Sequence, residues 1–279
     1  MQASPSDTMT NRQFIEHIPE YLTRIGEHPA ALSGSFGVLL LHGFTSAPDA
    51  VSGLIPSLER MKLTYDRPIL RGHNATPDAL IGVKAKDWYD DAYKALGKLC
   101  EKVDHVFIIG LSMGGLVALN LCINTHDYSD KIAACITWAP ALGFVNPLAW
   151  LAKPLSVLFK NWKGQDSFHD PECRKNNHNY KTFPTKAFVE LYDYAAETNK
   201  RLQNLHKPLC IIHSAKDQVV PINNSRILLE KSASAYKEMH ELTRSGHELG
   251  QDMEAETVFK LTADFIKSFM PEQDQKTSE

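Results

Sequence analysis

At 279 residues the chain is long enough for one α/β domain, which at this size buries about 75% of the surface of its unfolded form and needs no disulfide or metal to hold it. Thirty Lys and Arg against 33 Asp and Glu leave a net charge of -3, which supplies neither the basic groove of a nucleic-acid binder nor a field for polyanions. With 43% hydrophobic and 23% charged residues wholesale disorder is excluded, and the longest apolar runs, Val38 to Leu41 and Val106 to Ile109, fall far short of the ~18 residues of a membrane span.

Taken in chain order, the first ten residues read as a flexible leader, polar and without the apolar core of a secretory signal. Phe14, Ile15, Ile18, Leu22 and Ile25 are close to helical spacing, and Pro19 interrupts them, so residues 11–25 are expected to form a short or broken helix at most. After the turn at Gly34 to Gly37, Phe36 to Leu41 is a continuous apolar strand of the kind buried on both faces of a parallel sheet. Strand-like and helix-like stretches then alternate. A helical stripe of Val51, Leu54, Ile55 and Leu58 follows a start at Ser46 to Asp49. Tyr65 to Leu70 is expected to be a strand, Asp87 to Lys102 a helix, His105 to Leu111 a strand and Gly114 to Asn124 a helix. Ile132 to Trp138 and Pro208 to His213 are further strands. Ile222 to Lys231 is a helix, Lys237 to Leu242 a short strand and Met253 to Phe269 a closing helix ended by Pro271.

This order predicts an α/β fold with a mostly parallel central sheet flanked by helices and joined by right-handed crossovers. Residues 144–204 break the rhythm and are rich in aromatics, which predicts a helical cap inserted between two sheet strands. The expected organisation is an N-terminal extension over 1–33, a core over 34–143 and 205–270, the cap over 144–204, and a flexible tail over 271–279. The five cysteines, Cys100, Cys122, Cys135, Cys173 and Cys210, form no C-x-x-C pair and read as reduced packing residues of a cytoplasmic protein.

Chemistry concentrates where strands end. Gly110-Leu111-Ser112-Met113-Gly114 matches G-x-S-x-G between an apolar strand and an apolar helix. A strand turning abruptly into a helix strains its turn residue and lifts that side chain clear of the sheet, and small residues on either side let the two backbones pass. Ser112 is therefore the candidate nucleophile, with helix capping as the bland alternative. His42-Gly43-Phe44 ends another buried strand. The N–H groups of Phe44 and Met113 would form an oxyanion hole, while His42 is expected to hold its own loop by hydrogen bonds. A serine needs a base near neutral pH. Among twelve histidines, His247 stands in the loop after the last strand, on the sheet edge that carries Ser112. Asp217, in the loop after Pro208 to His213, is the candidate acid that orients it, unless it caps the helix beginning near Ile222. Glu248 and Asp252 lie close to His247 in sequence and are expected to be solvated. The aromatic cap and the apolar side chains of Phe44, Met113, Leu142 and Phe144 suggest contacts to an acyl chain or aryl group.

The segments LLLHGFTSAP, PILRGHN, GLSMGG, HSAKDQVVP and SGHELGQD occur in the order and approximate spacing of the α/β-hydrolase superfamily. The chain most resembles small bacterial carboxylesterases and monoacylglycerol lipases, over about residues 36–142 and 205–268. The resemblance implies a sheet of eight strands or slightly fewer, a helical cap, a Ser112–Asp217–His247 triad, an oxyanion hole at Phe44 and Met113, and no cofactor. Similar esterases often carry Gly in place of Ser46, and Gly-His-Gly in place of Gly72-His73-Asn74, so both loops bear on substrate preference.

The expected function is a serine carboxylic-ester hydrolase working through an acyl-enzyme on short- to medium-chain esters or monoacylglycerols. The same three residues also serve thioester hydrolysis, acyl transfer or C–C bond hydrolysis, because fold does not decide reaction. A non-catalytic module binding a small ligand is the third reading, and retention of all three residues weighs against it. No H-E-x-x-H or Cys/His ligand spacing points to a metal. The expected partner is a small-molecule ester, with no nucleic acid and no stable membrane insertion, in a monomer or homodimer.

Overall fold

A computed structural model describes residues 21–124, 127–146, 149–175 and 177–271. In chain order its elements begin with strand β1 (Tyr21–Ile25), β2 (Phe36–Leu41), helices α1 (Asp49–Ser52) and α2 (Ile55–Arg60), β3 (Thr64–Asp66), α3 (Ala85–Cys100), β4 (His105–Leu111) and α4 (Met113–Ile123). They continue with β5 (Ile132–Trp138), α5 (Ala152–Leu155), β6 (Asn161–Lys163), α6 (Pro171–Lys175), β7 (Thr182–Pro184) and α7 (Thr185–Asn199). The last four are β8 (Leu209–Ser214), α8 (Asn223–Lys231), β9 (Lys237–Leu242) and α9 (Ala255–Ser268).

The continuous apolar runs become the centre of the sheet because both faces are covered by helices. Alternate residues of one strand serve opposite sides. Leu39, Leu41, Val106 and Ile108 pack with Trp88, Leu96, Leu116, Leu191 and Leu228 of α3, α4, α7 and α8. Val38, Leu40, Phe107 and Ile109 pack with Leu54, Leu58, Val258, Phe265 and Ile266 on the side of α2 and α9. The seven strands run in the order β1-β9-β8-β5-β4-β2-β3. All neighbours are parallel except β1, which runs antiparallel to β9. Parallel registry such as Leu41 opposite Gly110 and Gly110 opposite Thr137 brings the carboxyl ends of the strands to one edge, where the functional loops gather.

Three expectations change. Residues 21–25 form a strand rather than a helical turn. Their backbone pairs with the otherwise open edge of β9, with Leu22 opposite His240, and that pairing overrides a weak helical spacing. The part of that expectation over 11–20, together with the leader and residues 272–279 of the tail, lies outside the described residues. The strand predicted over Tyr65 to Leu70 is limited to Thr64–Asp66, and Pro68 stands just beyond it. The segment 144–204 carries α5, α6 and α7 but also an antiparallel pair, β6 with β7, in which Trp162 faces Phe183. Strands of three residues are too short to show alternation.

Candidate active site

Ser112 sits at the turn between β4 and α4 with φ 54° and ψ -113°, a backbone conformation that L-residues rarely adopt. The two glycines of G-x-S-x-G make that turn possible. A Cβ on Gly110 would lie 2.1 Å from the Gly114 carbonyl oxygen, and one on Gly114 would lie 2.2 Å from the Leu41 carbonyl oxygen. The strained turn is held by Ser112 N–H donating to Trp138 O at 2.9 Å, and by Leu116 and Ala141 N–H donating to Ser112 O.

His247 and Asp217 arrive from the loops after β9 and β8. Ser112 Oγ lies 2.8 Å from His247 Nε2, and His247 Nδ1 lies 2.6 Å from Asp217 Oδ2. The carboxylate demands a donor, so Nδ1 carries the imidazole hydrogen and Nε2 is left to accept from the serine hydroxyl. All three side chains are buried. Burial opposes charge on Asp217, but the facing His247 and the hydrogen bonds from His213 and His247 outweigh it and hold the carboxyl well below the ordinary carboxylate range. Burial likewise opposes protonation of His247, yet the charge of Asp217 and the hydrogen bond to it, with a contribution from Glu248, set its pKa above the ordinary 6.5. Asp217 Oδ1 also accepts the N–H groups of Val219 and Val220, both at 2.8 Å, so the carboxylate caps its own turn, ahead of α8, with one oxygen and serves the imidazole with the other.

The Gly43–Phe44 loop runs beside the serine: a Cβ on Gly43 would sit 3.5 Å from Ser112 Cβ. His42 supports this loop from below. Its Nδ1–H donates to Gly43 O at 2.9 Å, and its Nε2 accepts Leu70 N–H at 3.1 Å. Burial lowers its pKa to about 4, so it stays neutral. Met113 is the first residue of α4, where backbone N–H groups have no partner within the helix.

A cavity opens onto Ser112 and His247. Its lining includes the apolar residues Phe44, Phe144, Trp162, Phe183, Phe188 and Val219 and the polar residues Thr45, Asn146, Gln165, Ser167, Asn179 and Glu248. Phe44 and Phe144 both line it. The side chains of Met113 and Leu142 do not: both are buried in the core on the α4 side of the sheet. The expectation that Glu248 and Asp252 are solvated is also corrected. Both are buried. Glu248 Oε1 accepts Asn179 Nδ2–H at 2.7 Å, and burial pushes its carboxyl pKa up. Asp252 ties the loop that carries His247 to the segment around His169. One of its oxygens accepts Gly246 N–H at 2.6 Å and His169 N–H at 2.8 Å, and the other accepts Asp170 and Met253 N–H. Sequence reasoning missed this because the partners lie about eighty residues away. It also missed Asn179, positioned when Tyr180 N–H donates to Thr45 O at 3.0 Å.

Among the described residues one group has the makings of a metal site, Cys210 with Glu238 and His240. Its carboxylate is already taken by Arg24, Tyr236 and His240, so the cluster explains itself as a hydrogen-bonded ion-pair network.

A family model described as serine aminopeptidase, S33, matches residues 36–254, most of the chain. The chain belongs to that family of α/β-hydrolases. Within it, the chain is 27% identical to a thermostable monoacylglycerol lipase of Bacillus sp. (strain H-257) over 239 residues, 85% of this chain and 92% of that one. It is 22% identical to a carboxylesterase of Bacillus subtilis (strain 168), over 84% of this chain and 93% of that one. Among solved structures, one reported under two metagenome-derived lipolytic enzymes superposes with a TM-score of 0.77 at 26% identity, covering 86% of this chain and 96% of the other. No helix among the described residues is long and apolar enough to cross a membrane.

Proposed function

We propose that Ser112, His247 and Asp217 are the nucleophile, general base and orienting acid of this carboxylic ester hydrolase, and that its substrates are monoacylglycerols and other esters of short to medium acyl chains. The observation that carries the assignment is the unbroken hydrogen-bond chain from Ser112 Oγ through His247 to Asp217 Oδ2 at a cavity lined by both aromatic and polar residues.

The reaction follows from that chain. Ser112 Oγ attacks the ester carbonyl carbon as its proton passes to His247 Nε2. Asp217, which stays ionised, stabilises the imidazolium. The carbonyl oxygen becomes an oxyanion facing the N–H groups of Phe44 and Met113; each such donor contributes on the order of 2.7–4 kcal/mol in the transition state. The C–O bond then breaks, the alcohol leaves with the proton from His247, and the acyl group stays on Ser112. Water gives a proton to His247, attacks the acyl carbon, and the acid is released as the proton returns to Ser112.

The lining supports the substrate class. Aromatic side chains suit the acyl chain, and Thr45, Asn179 and Glu248 suit an alcohol that carries further hydroxyl groups. The relatives named as monoacylglycerol lipase and carboxylesterase support the same reading. Residues 144–204 supply most of that lining and are proposed to be the cap, between core segments 34–143 and 205–270. The site is built within one chain, so a monomer or homodimer suffices. The cysteines, all free among the described residues, fit a reducing cytoplasm.

The test is a panel of p-nitrophenyl esters of increasing acyl length, 1-monoacylglycerols, triacylglycerol and acyl thioesters, run on the wild type and Ser112→Ala. Oxygen-ester turnover that vanishes in the variant is expected. Turnover surviving the substitution would remove Ser112 from its role, and a preference for thioesters would displace the substrate class.

A further inference from the structure

The acid member of the site does not stand alone with His247. His213, the fifth residue of β8, is fully buried, and its Nε2 lies 3.0 Å from Asp217 Oδ2, the oxygen that also holds His247. Its other ring nitrogen, Nδ1, lies 2.6 Å from Ser225 Oγ in α8. A carboxylate offers about four acceptor positions. On Asp217 they are filled by Val219 N–H and Val220 N–H on Oδ1, and by His247 Nδ1–H and His213 Nε2 on Oδ2. The mechanism uses only one of these donors, and the two backbone donors come from Asp217's own turn. His213 is the one that anchors the carboxylate to the sheet.

We propose that His213 is a positioning residue that donates from Nε2 to Asp217 Oδ2 and holds the carboxylate in the orientation that His247 requires; the proposal rests on the triad assigned above. The tautomer follows from the partners. Asp217 is an acceptor, so the hydrogen belongs on Nε2, where Val220 O at 3.2 Å is a second, longer acceptor. Nδ1 is then a lone pair, and the hydroxyl of Ser225 is the group that donates to it. Every polar atom in the chain Ser225–His213–Asp217–His247–Ser112 has a partner of the correct kind, and the arrangement runs from α8 through the sheet to the nucleophile. Removing the His213 donor leaves a lone pair of a buried carboxylate unsatisfied, which frees Asp217 to turn away from His247. His213 does not line the substrate cavity, so its influence falls on kcat rather than KM.

Two amide variants separate the donor from mere space-filling. In His213→Asn the amide takes the place of Nδ1, keeping the Ser225 partner and losing the bond to Asp217. In His213→Gln the amide reaches the place of Nε2 and keeps the donor. The expected result is a fall in kcat of about 10- to 100-fold for His213→Asn, the range seen when a buried orienting partner is lost, with KM unchanged and most of kcat restored in His213→Gln. Wild-type kcat in a folded His213→Asn, or a His213→Gln no better than His213→Asn, overturns the proposal. The wild-type protein gives a check that no folding defect can obscure: 15N chemical shifts of labelled histidines should show His213 protonated at Nε2, and protonation at Nδ1 overturns it. Ser112→Ala is measured alongside, and turnover retained there would refute the triad assignment itself, independently of how the His213 variants behave.

Discussion

The carbonyl oxygen of Ser167 accepts the backbone N–H of His247 at 2.8 Å, and that of Glu248 at 3.2 Å, so the base loop is suspended from the inserted segment rather than from the sheet alone. Asp252 doubles the connection by gathering N–H groups from Gly246 on one side and His169 and Asp170 on the other. Asp252→Asn replaces one acceptor oxygen with a donor that faces other donors. We expect it to lower stability by about 1.5–3 kcal/mol, the range for hydrogen bonds to a charged group, and to reduce kcat at the same time. Urea titration and ester turnover on the same preparation check this; an effect on stability with kcat untouched would mean that the base loop holds its place unaided.

The elbow makes a steric prediction. Gly110→Ala and Gly114→Ala each drive a methyl group to within 2.1 and 2.2 Å, respectively, of a backbone oxygen. Neither oxygen belongs to a side chain that can rotate away. Both variants should lose more than about 4 kcal/mol of stability, at the extreme of single-residue effects, and thermal melting measures it. Gly43→Ala, whose added carbon meets Ser112 Cβ at 3.5 Å, should fold normally.

The pH dependence follows from His247. As the proposed base, His247 must be neutral to accept the serine proton, and Asp217 and Glu248, working against burial, set its pKa above 6.5. The kcat/KM profile of the wild type should therefore fall as pH drops through a value above 6.5. Asp217→Asn removes the main raising influence and leaves burial opposed only by Glu248, so the acid limb should move to lower pH, with a loss in kcat of about 10⁴-fold from the wrong tautomer. Glu248→Gln should move the limb down by a smaller amount with kcat largely kept. Initial rates on a soluble ester across the pH range test both shifts.

Chain-length preference should reside in Phe188. Its ring centroid lies 5.0 Å from that of Phe144 and 6.0 Å from those of Trp162 and Phe183, at the heart of the aromatic wall. Phe188→Ala should cost about 1–3 kcal/mol in kcat/KM for acyl chains long enough to reach it, and little for acetate. Parallel assays with p-nitrophenyl acetate and decanoate compare the two; an equal loss on both would place the acyl chain elsewhere.

What could be learned from residues alone depended on whether the signal was local. Continuous apolar runs such as Val106 to Ile109 announce buried parallel strands, and G-x-S-x-G between a strand and a helix announces an elbow, because each is a neighbour-to-neighbour pattern imposed by backbone geometry. Asp217 and His247 could be singled out as well, since loops after parallel strands share one edge of a sheet. The strand of residues 21–25 was hidden because its cause is the unpaired edge of β9, more than two hundred residues away. The same holds for the burial of Glu248 and Asp252, which read as solvated until the segment around Ser167 to Tyr180 closed over them. Order of elements and kind of chemistry were therefore written in the sequence, whereas the hydrogen-bond partners of buried charges and the walls of the cavity were decided only when remote segments met, because desolvation and directional hydrogen bonds depend on three-dimensional proximity that no local pattern encodes.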